Sequence, residues 1–308
     1  MRKQPAVRMN PIRQGLGVAV LLLVLLACNL PLAGATQTAQ PQSVQTPIPL
    51  PTTNVPTETA QPTATALPVD TAQPTSLPPT ATSDLLSTQF GGVSFSYDPS
   101  LASKVVGKTV AAVNAQNGAP WEIAPQSIQF DFTDYLLPGS FNQPALIIYP
   151  VDGYKSVNAA VAPIINDLQS LLKTTPSNPA QALPFLPTWN AAQIMHSNVF
   201  YLKFKNGAGV RYLAEYGQAI FPINNHMLFY TFQGITQNGK YYISLVLPVN
   251  NSILPADEKI PQSDYGTFSA NFDNYLKDIQ AKLDAQPPSS FKPDLSGLDA
   301  LVQSLSVQ

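Results

Sequence analysis

A stretch around residue 95 shows strict alternation of apolar and polar residues. Val93, Phe95 and Tyr97 are separated by two serines, and Pro99 follows two positions later. A period of two places the three large side chains on one face, and proline cannot continue a ladder of backbone hydrogen bonds. The pattern predicts a half-buried β-strand at residues 93–97.

Three further strands are predicted before the period changes. Residues 104–113 form a weaker apolar pattern, and residues 128–132 alternate between apolar and polar side chains. Residues 145–149 are a continuous apolar run that Pro150 closes. Such a run is typical of a central strand that is buried on both faces.

The clearest pattern is a set of four strand-like segments separated by turn residues. Asn206-Gly207 and Asn238-Gly239 are dipeptides that readily adopt positive φ, and Asn224-Asn225 is a weaker third signal. We expect an antiparallel meander with two-residue type I′ turns at the two Asn-Gly dipeptides. Its strands are rich in aromatic and β-branched residues and lie at 199–205, 210–216, 226–233 and 240–247.

Helical periodicity replaces this alternation at residues 156–173. The apolar side chains there recur at about 3.6 residues, so an amphipathic helix is expected to lie on the sheet. Pro163 lies inside the pattern. Because proline is tolerated only in the first turn of a helix, the helix either begins there or kinks one turn upstream.

Two more apolar stripes, at residues 268–283 and 298–305, predict helices near the end of the chain. Ser296 and Asp299 have the spacing of a capping box at the start of the second. The order of strands, one helix, more strands and two helices indicates an α+β domain. We expect a mainly antiparallel sheet with helices packed on it.

The first 27 residues have a different character. Arg2, Lys3, Arg8 and Arg13 precede an uninterrupted apolar segment at residues 16–27. Twelve apolar residues are too few for a membrane helix, which needs about 20. Residues 1–27 are therefore predicted to be a secretory signal peptide.

Cys28, the only cysteine of the chain, follows directly after this signal. Leu25-Leu26-Ala27-Cys28 resembles the bacterial lipobox, which implies cleavage before Cys28 and lipidation of its thiol by chains such as palmitate. Two or three acyl chains give stable anchoring, because each buried methylene contributes about 0.8 kcal/mol. We expect a lipid-anchored protein of the cell membrane that faces outside the cytoplasm. The alternative is an ordinary secretory signal with an incidental cysteine.

Residues 28–83 are predicted to be a disordered linker after the lipidated cysteine. From residue 29 to 83 the chain has eleven prolines, thirteen threonines, two charged residues and no aromatic residue. Such a stretch cannot bury enough apolar area to offset the entropy of ordering its backbone. Its composition resembles that of linkers in lipoproteins from Chloroflexi-type bacteria, and its threonines are potential acceptors of O-linked sugars. We expect a single globular domain at residues 84–308.

The charge and motif content of residues 84–308 argue against several functions. Sixteen Asp and Glu residues outnumber twelve Lys and Arg residues, so no basic face for nucleic acid is expected. Once Cys28 is lipidated, His196 and His226 are too few for a Cys-His pair or a multi-histidine metal site, and we expect both to be solvated. The chain has no P-loop, no G-x-G-x-x-G and no G-x-S-x-G motif. We predict no catalytic residue, no cofactor and no metal site.

Paired carboxylates are the remaining route to hydrolysis. The glutamates are Glu122, Glu215 and Glu258, and Asp131 with Asp134 is the closest pair on a strand. Glycosidases need two carboxyl groups about 5 to 9.5 Å apart, and calcium needs six or more oxygen ligands. We expect Asp131 and Asp134 to lie at a solvated edge instead.

Aromatic residues offer a binding hypothesis. Five tyrosines occupy neighbouring strands of the predicted meander, and Trp189 precedes them in a proline-rich loop. Exposed together, these rings would form a platform that stacks on sugars or anchors a partner protein, with Trp189 and Tyr242 as its key positions. The alternative is that the tyrosines face the helices and belong to the core.

The opening Gly-Val-Ser-Phe-Ser-Tyr strand at 92–97 and the closing apolar helix resemble the Mog1/PsbP-like sandwich of many exported bacterial lipoproteins. The resemblance covers about half of the domain and implies no functional residue. Residues 209–249 are also similar to other lipoproteins of the same bacteria. These patterns favour a membrane-anchored, non-enzymatic interaction or ligand-binding module with a protein or glycan ligand. The alternative is an extracytoplasmic hydrolase whose carboxylates the sequence does not reveal.

Overall fold

The computed structural model describes residues 84–179 and 181–308. The predictions about the signal peptide, the lipidation of Cys28 and the linker lie outside the described residues. Within the described ranges, no helix has both the length and the apolar character that crossing a bilayer would require.

The described residues form an α+β structure, as expected. The helices are α1 (Val151–Val157), α2 (Val161–Thr174), α3 (Tyr265–Ala270), α4 (Phe272–Asp284) and α5 (Leu295–Ser304). The strands are β1 (Leu86–Phe90), β2 (Val93–Tyr97), β3 (Lys104–Val110), β4 (Ser127–Thr133), β5 (Ala145–Pro150), β6 (Ala192–Phe204), β7 (Gly207–Gly217), β8 (Phe229–Thr236), β9 (Tyr241–Pro248), β10 (Asn250–Asn251), β11 (Phe291–Lys292) and β12 (Ser306–Val307).

Seven strands form one antiparallel sheet in the order β3-β4-β5-β9-β8-β7-β6. The meander of β6 to β9 is therefore confirmed, and its four strands lie side by side. The apolar run of β5 is paired on both sides, with β4 and with β9, so the prediction of a central strand is also confirmed.

The turns of the meander differ from the prediction. Phe204 pairs with Gly207, so Lys205 and Asn206 form the first turn, and neither Asn206 nor Gly207 has a positive φ. The Asn206 side chain accepts a hydrogen bond from the Val307 backbone N–H at 3.1 Å and donates one to the Val307 carbonyl, so a contact with β12 that the local sequence does not reveal accompanies this turn. In the second turn only Gly239 has a positive φ, of 72°. The predicted type I′ turns are thus wrong at both dipeptides.

Layers of helix cover both faces of the large sheet. One face packs against α1, α2 and the loop residues 175–179 and 181–190, with Val161, Ile165 and Leu168 of α2 fully buried. The other face packs against α4, α5 and a small sheet of order β1-β2-β12. We call these the α2 face and the α5 face.

The helix ends confirm one of the two alternatives for Pro163 and correct the predicted capping box. Pro163 is the third residue of α2, so the helix begins just before it, and the chain breaks at Asn158 instead of kinking. The cap of α5 is Asp294, whose carboxylate accepts from the Ser296 backbone N–H at 2.8 Å. The capping box of Ser296 and Asp299 is therefore wrong, because Asp299 faces the sheet and binds Arg211.

Candidate functional site

Both tryptophans of the chain line one groove, which has a volume of about 380 Å³. Trp121 is 39% exposed and Trp189 is half-buried. The remaining lining residues are mostly apolar with a few polar side chains: Val110, Ala111, Val113, Glu122, Ala124, Pro125, Ser127, Gln129, Tyr149, Pro187 and Thr188. We call this the tryptophan groove.

The loop between β3 and β4 places Trp121. Val113 and Ala124 close the loop as an isolated antiparallel bridge, with N–H to carbonyl distances of 2.9 and 3.1 Å. The Asn158 amide, at the end of α1, donates to the Ile123 carbonyl at 3.1 Å. The loop is therefore anchored beside Trp121 to the start of the helical layer.

The loop before β6 places Trp189, and two glutamine side chains hold it. The Gln193 carboxamide oxygen accepts from the Leu183 N–H at 2.9 Å, and the Gln233 oxygen accepts from the Leu186 N–H at 3.0 Å. The Ser244 hydroxyl donates to the Leu186 carbonyl. Because a loop lacks internal backbone pairing, these side chains provide the hydrogen bonds that the buried peptide groups need.

Aromatic packing fixes the Trp189 ring itself. Its centroid lies 4.7 Å from Phe185, 5.2 Å from Tyr216 and 5.4 Å from Phe229. Aromatic rings at these separations stabilise the fold by more than the burial of their apolar area alone would give. The Thr188 hydroxyl also donates to the Trp121 carbonyl at 3.1 Å, which ties the two tryptophan-bearing loops together.

Two tyrosines lie beneath the groove. Tyr149 lines it and is 4% exposed, and burial together with the neighbouring Tyr154 raises its pKa. The Tyr154 ring lies 4.7 Å away, and burial raises its pKa to about 12. The Tyr154 hydroxyl has no hydrogen-bond partner among the described residues. Both groups stay protonated at neutral pH.

The structure places the two predicted platform residues differently. Trp189 lies at the surface of the groove, whereas Tyr242 is fully buried on the α2 face and donates to the Gln233 oxygen at 2.7 Å. The expectation that Tyr242 faces solvent is wrong, because β9 lies between β5 and β8 and α2 covers that face. Trp121 was missed. Its only signal was that it is one of two tryptophans in the chain.

Asp131 and Asp134 have different partners, whereas Glu258 is near enough to Glu215 for its charge to raise the pKa of Glu215. Asp131 pairs with Lys108, whereas the Asp134 carboxylate accepts from the Ser103 hydroxyl at 2.7 Å. Within the described ranges, no three His, Cys, Asp or Glu residues are arranged to hold a metal ion. The Glu122 carboxylate accepts from the Ala119 N–H at 2.8 Å, within its own loop.

The two histidines differ from each other. His226 lies at a turn with its Nδ1 atom 3.3 Å from the Glu258 carboxylate. His196 lies in β6 and is half-buried, with Nε2 3.0 Å from the Pro179 carbonyl. Burial lowers the pKa of His196, so it is not the solvated residue that was expected.

Glu215 is one of the glutamates considered from the sequence, but its burial was not predicted. It is fully buried in β7, and burial raises its pKa to about 8. Its carboxylate accepts from the Asn224 N–H at 3.0 Å, and the Asn224 side-chain oxygen in turn accepts from the backbone N–H groups of His226 and Met227. Glu215 therefore organises the loop between β7 and β8. It does not line the tryptophan groove.

Comparison with known proteins gives one solved structure and no family. No family model and no curated protein matches the chain. The solution structure of cyanobacterial PsbP (CyanoP) from Synechocystis sp. PCC 6803 is 12% identical and has a TM-score of 0.25, covering 71% of this chain and 97% of that one. This weak likeness agrees with the PsbP-like resemblance of the sequence and carries no information about ligands.

Proposed function

We propose that the protein is a membrane-anchored extracytoplasmic lipoprotein that acts as a non-enzymatic ligand-binding module. The lipobox at Cys28 and the proline- and threonine-rich linker support the anchoring. The tryptophan groove supports the binding. The ligand proposed for it is a saccharide unit of a glycan, whose flat apolar face stacks on indole and whose hydroxyls bond to polar side chains.

The observation that carries this proposal is the presence of both tryptophans in one groove. Tryptophan is costly to expose, yet Trp121 keeps 39% of its surface accessible. Ligand sites are concave and largely apolar, with a few polar groups that fix orientation. Ser127, Gln129 and Thr188 provide such groups here.

The groove is also preorganised. Each tryptophan-bearing loop is held by backbone bridges or buried side-chain hydrogen bonds, and a direct bond joins the two loops. Binding therefore requires little ordering of the protein, which lowers the entropic cost of association.

The alternative of an extracytoplasmic hydrolase gains no support from the described residues. Hydrolysis by paired carboxylates needs two acids in one cleft. Glu122 is the only carboxylate that lines the tryptophan groove, and Asp284 is the only one in the cleft between β6 and α4. A cleft of about 600 Å³ at the end of α2 has none.

Intrinsic fluorescence tests the binding proposal directly. Because both tryptophans lie in the groove, every change in tryptophan emission reports on it. Titration with chitin oligosaccharides, cello-oligosaccharides and soluble peptidoglycan fragments should change the emission saturably for at least one probe. Trp121→Ala should weaken that binding at least about tenfold, a loss of about 1.4 kcal/mol.

Phe141→Ala is the matched control, because Phe141 is 62% exposed and lies outside the groove. It should leave both the affinity and the unfolding midpoint unchanged. Absence of saturable binding for all three probe classes would refute the saccharide ligand. Equal weakening by Phe141→Ala would refute its assignment to the groove.

The anchoring is tested separately. Cys28→Ser removes the thiol that accepts the lipid, so radiolabelled palmitate fed to expressing cells should label only the wild type. Equal labelling of the variant would refute the lipoprotein assignment without bearing on the groove.

A further inference from the structure

A second cleft, of about 600 Å³, shares no lining residue with the tryptophan groove. It is formed where the end of α2 meets the β6–β7 and β8–β9 turns. Three lysines line it: Lys173, Lys203 and Lys205. We call it the lysine cleft.

Each lysine reaches the cleft for a local reason. Lys173 lies in the last turn of α2. Lys203 is two residues after Tyr201, which packs on the α2 face, so alternation directs Lys203 to the same side of β6. Lys205 lies in the turn that follows. Lys203 pairs with Ala208, whose small side chain leaves the space open.

The charge distribution of the lysine cleft is unusual for this protein. Residues 84–308 contain sixteen acidic and twelve basic residues, yet no carboxylate lines this cleft. None of the three lysines forms an ion pair with a described residue, whereas Lys108, Lys259 and Lys282 each do. The dipole of α2 favours a positive charge at Lys173, in the last turn of the helix, but it does not account for Lys203 or Lys205.

The walls of the cleft are held in place by hydrogen bonds that do not involve the lysines. The Gln237 N–H donates to the Asn206 carbonyl at 2.8 Å and so joins the two turns. The Asn206 side chain is fixed to Val307 of β12. The Gly239 N–H donates to the Thr236 carbonyl at 2.8 Å. The backbone that carries the three lysines is therefore held in place. A bound anion would reduce the repulsion between their like charges.

We propose that the lysine cleft binds a phosphate-bearing anion. Its volume exceeds what one phosphate group fills, and Gln169 and Gln237 supply neutral hydrogen-bonding groups beside the lysines. The phosphate belongs either to a soluble phosphorylated molecule or to the headgroup of an anionic phospholipid, since both present the same chemistry. This site goes beyond the proposed saccharide binding, because it is separate from the tryptophan groove.

Calorimetric titration of the full chain with inorganic pyrophosphate at low ionic strength tests the shared chemistry. Binding should be saturable and should weaken as salt is added, because salt screens exposed charges. The K173Q/K203Q/K205Q variant should lose at least about tenfold in affinity. A second arm measures co-sedimentation with vesicles of phosphatidylcholine alone or with phosphatidylglycerol. The lipid on Cys28 attaches the protein equally to both vesicle types. The quantity compared is therefore the difference in bound protein between the two.

The matched control is K104Q/K277Q/K292Q, which removes three exposed lysines that form no ion pair with a described residue and lie outside the lysine cleft. It removes the same net charge and should bind pyrophosphate and vesicles as the wild type does. A lysine-dependent preference for anionic vesicles identifies the lipid headgroup as the source, and pyrophosphate binding alone identifies a soluble ligand. Absence of both, or an equal loss in the control, overturns the proposal. Neither result bears on saccharide-dependent tryptophan fluorescence.

Discussion

The two faces of the seven-stranded sheet bury polar residues in opposite ways. On the α5 face, β7 carries Arg211, which is 1% exposed and forms a bidentate pair with Asp299 of α5 at 2.9 and 2.8 Å. On the α2 face, β8 and β9 carry Gln233 and Ser244, which are neutral and bind the backbone of the loop at Leu186. One face uses a buried ion pair and the other uses amide and hydroxyl groups.

The elements that cover the two faces explain why their buried polar residues differ. A helix pairs its own backbone groups, so α5 can be held by apolar contacts and by hydrogen bonds of two side chains, Asp299 and Ser304. The loop residues 181–190 bring backbone groups onto the sheet that lack partners within the loop, and each must be satisfied. Polar residues inside two central strands are the consequence. The tryptophan groove lies at the loop-covered side, where irregular backbone can present side chains that a helix would turn inward.

The edge strand β6 adapts to the ion pair. Its register shifts between Ser197 and Phe200, and Asn198 in this bulge has a φ of 52°. The Arg211 Nη1 atom donates to the Asn198 carbonyl at 2.7 Å, and the Phe200 ring covers the guanidinium at 4.5 Å. The bulge therefore provides a third hydrogen-bond acceptor for the buried Arg211 guanidinium and places the Phe200 ring over it.

Removal of Asp299 should have the largest effect on stability. Asp299→Ala leaves Arg211 buried without its counter-ion, so the free energy of unfolding should fall by about 3–5 kcal/mol. Urea denaturation measures this. Asp278→Ala breaks the exposed pair with Lys282 at 2.7 Å and should cost no more than about 0.5 kcal/mol. If the two variants lose equal stability, the α5 face does not depend on the buried pair.

Glu215 should make the α5 face sensitive to pH. Its pKa is about 8 in the folded chain against an ordinary value of 4.5, so the folded state holds a proton that the unfolded state releases between these values. Stability should therefore fall as the pH rises from about 5 to about 8, by up to about 1.4 kcal/mol per pH unit. Glu215→Gln should flatten this slope in urea denaturation. Asp273→Asn, at an exposed site on α4, should leave it unchanged.

Gln233 tests the α2 face. Gln233→Leu leaves the Leu186 N–H and the Tyr242 hydroxyl without their acceptor, so stability should fall by about 1–3 kcal/mol. Because Leu186 precedes Trp189 in the loop, tryptophan fluorescence should also change in the folded protein. Gln126→Leu, at an exposed position, should change neither quantity. Lost stability with unchanged fluorescence would show that the loop does not depend on Gln233.

The smallest effect is expected at a turn that belongs to neither face. Gly239 has a φ of 72° and open space around it, so Gly239→Ala should cost about 1–2 kcal/mol through the backbone alone. Gly266→Ala in α3 also enters open space but at a negative φ, and it should not destabilise the protein. Thermal unfolding compares them. If the turn does not need glycine at position 239, the two variants will have equal thermal unfolding midpoints. Saccharide binding should be unchanged in both variants.

The sequence by itself determined the elements of the sheet. Alternation along β2, β4 and the four meander strands depends only on neighbours two residues apart, so it can be read without knowing what covers each strand. The helix predicted at 156–173 follows from the same local argument at a different period, and the structure has most of it as α2, with a break at residues 158–160. These elements agree with the structure because the period of a strand or helix is a property of the local backbone.

Only the tertiary structure decided which residues form the sites. Thr188 and Trp121 are 67 positions apart, Leu186 and Gln233 are 47 apart, and Arg211 and Asp299 are 88 apart. No local period connects residues at such distances. Tyr242 shows the same limit, because alternation gives a strand two faces but does not say whether water or a helix covers each. Burial, ion pairing and groove formation are set by the surfaces that meet when the chain folds.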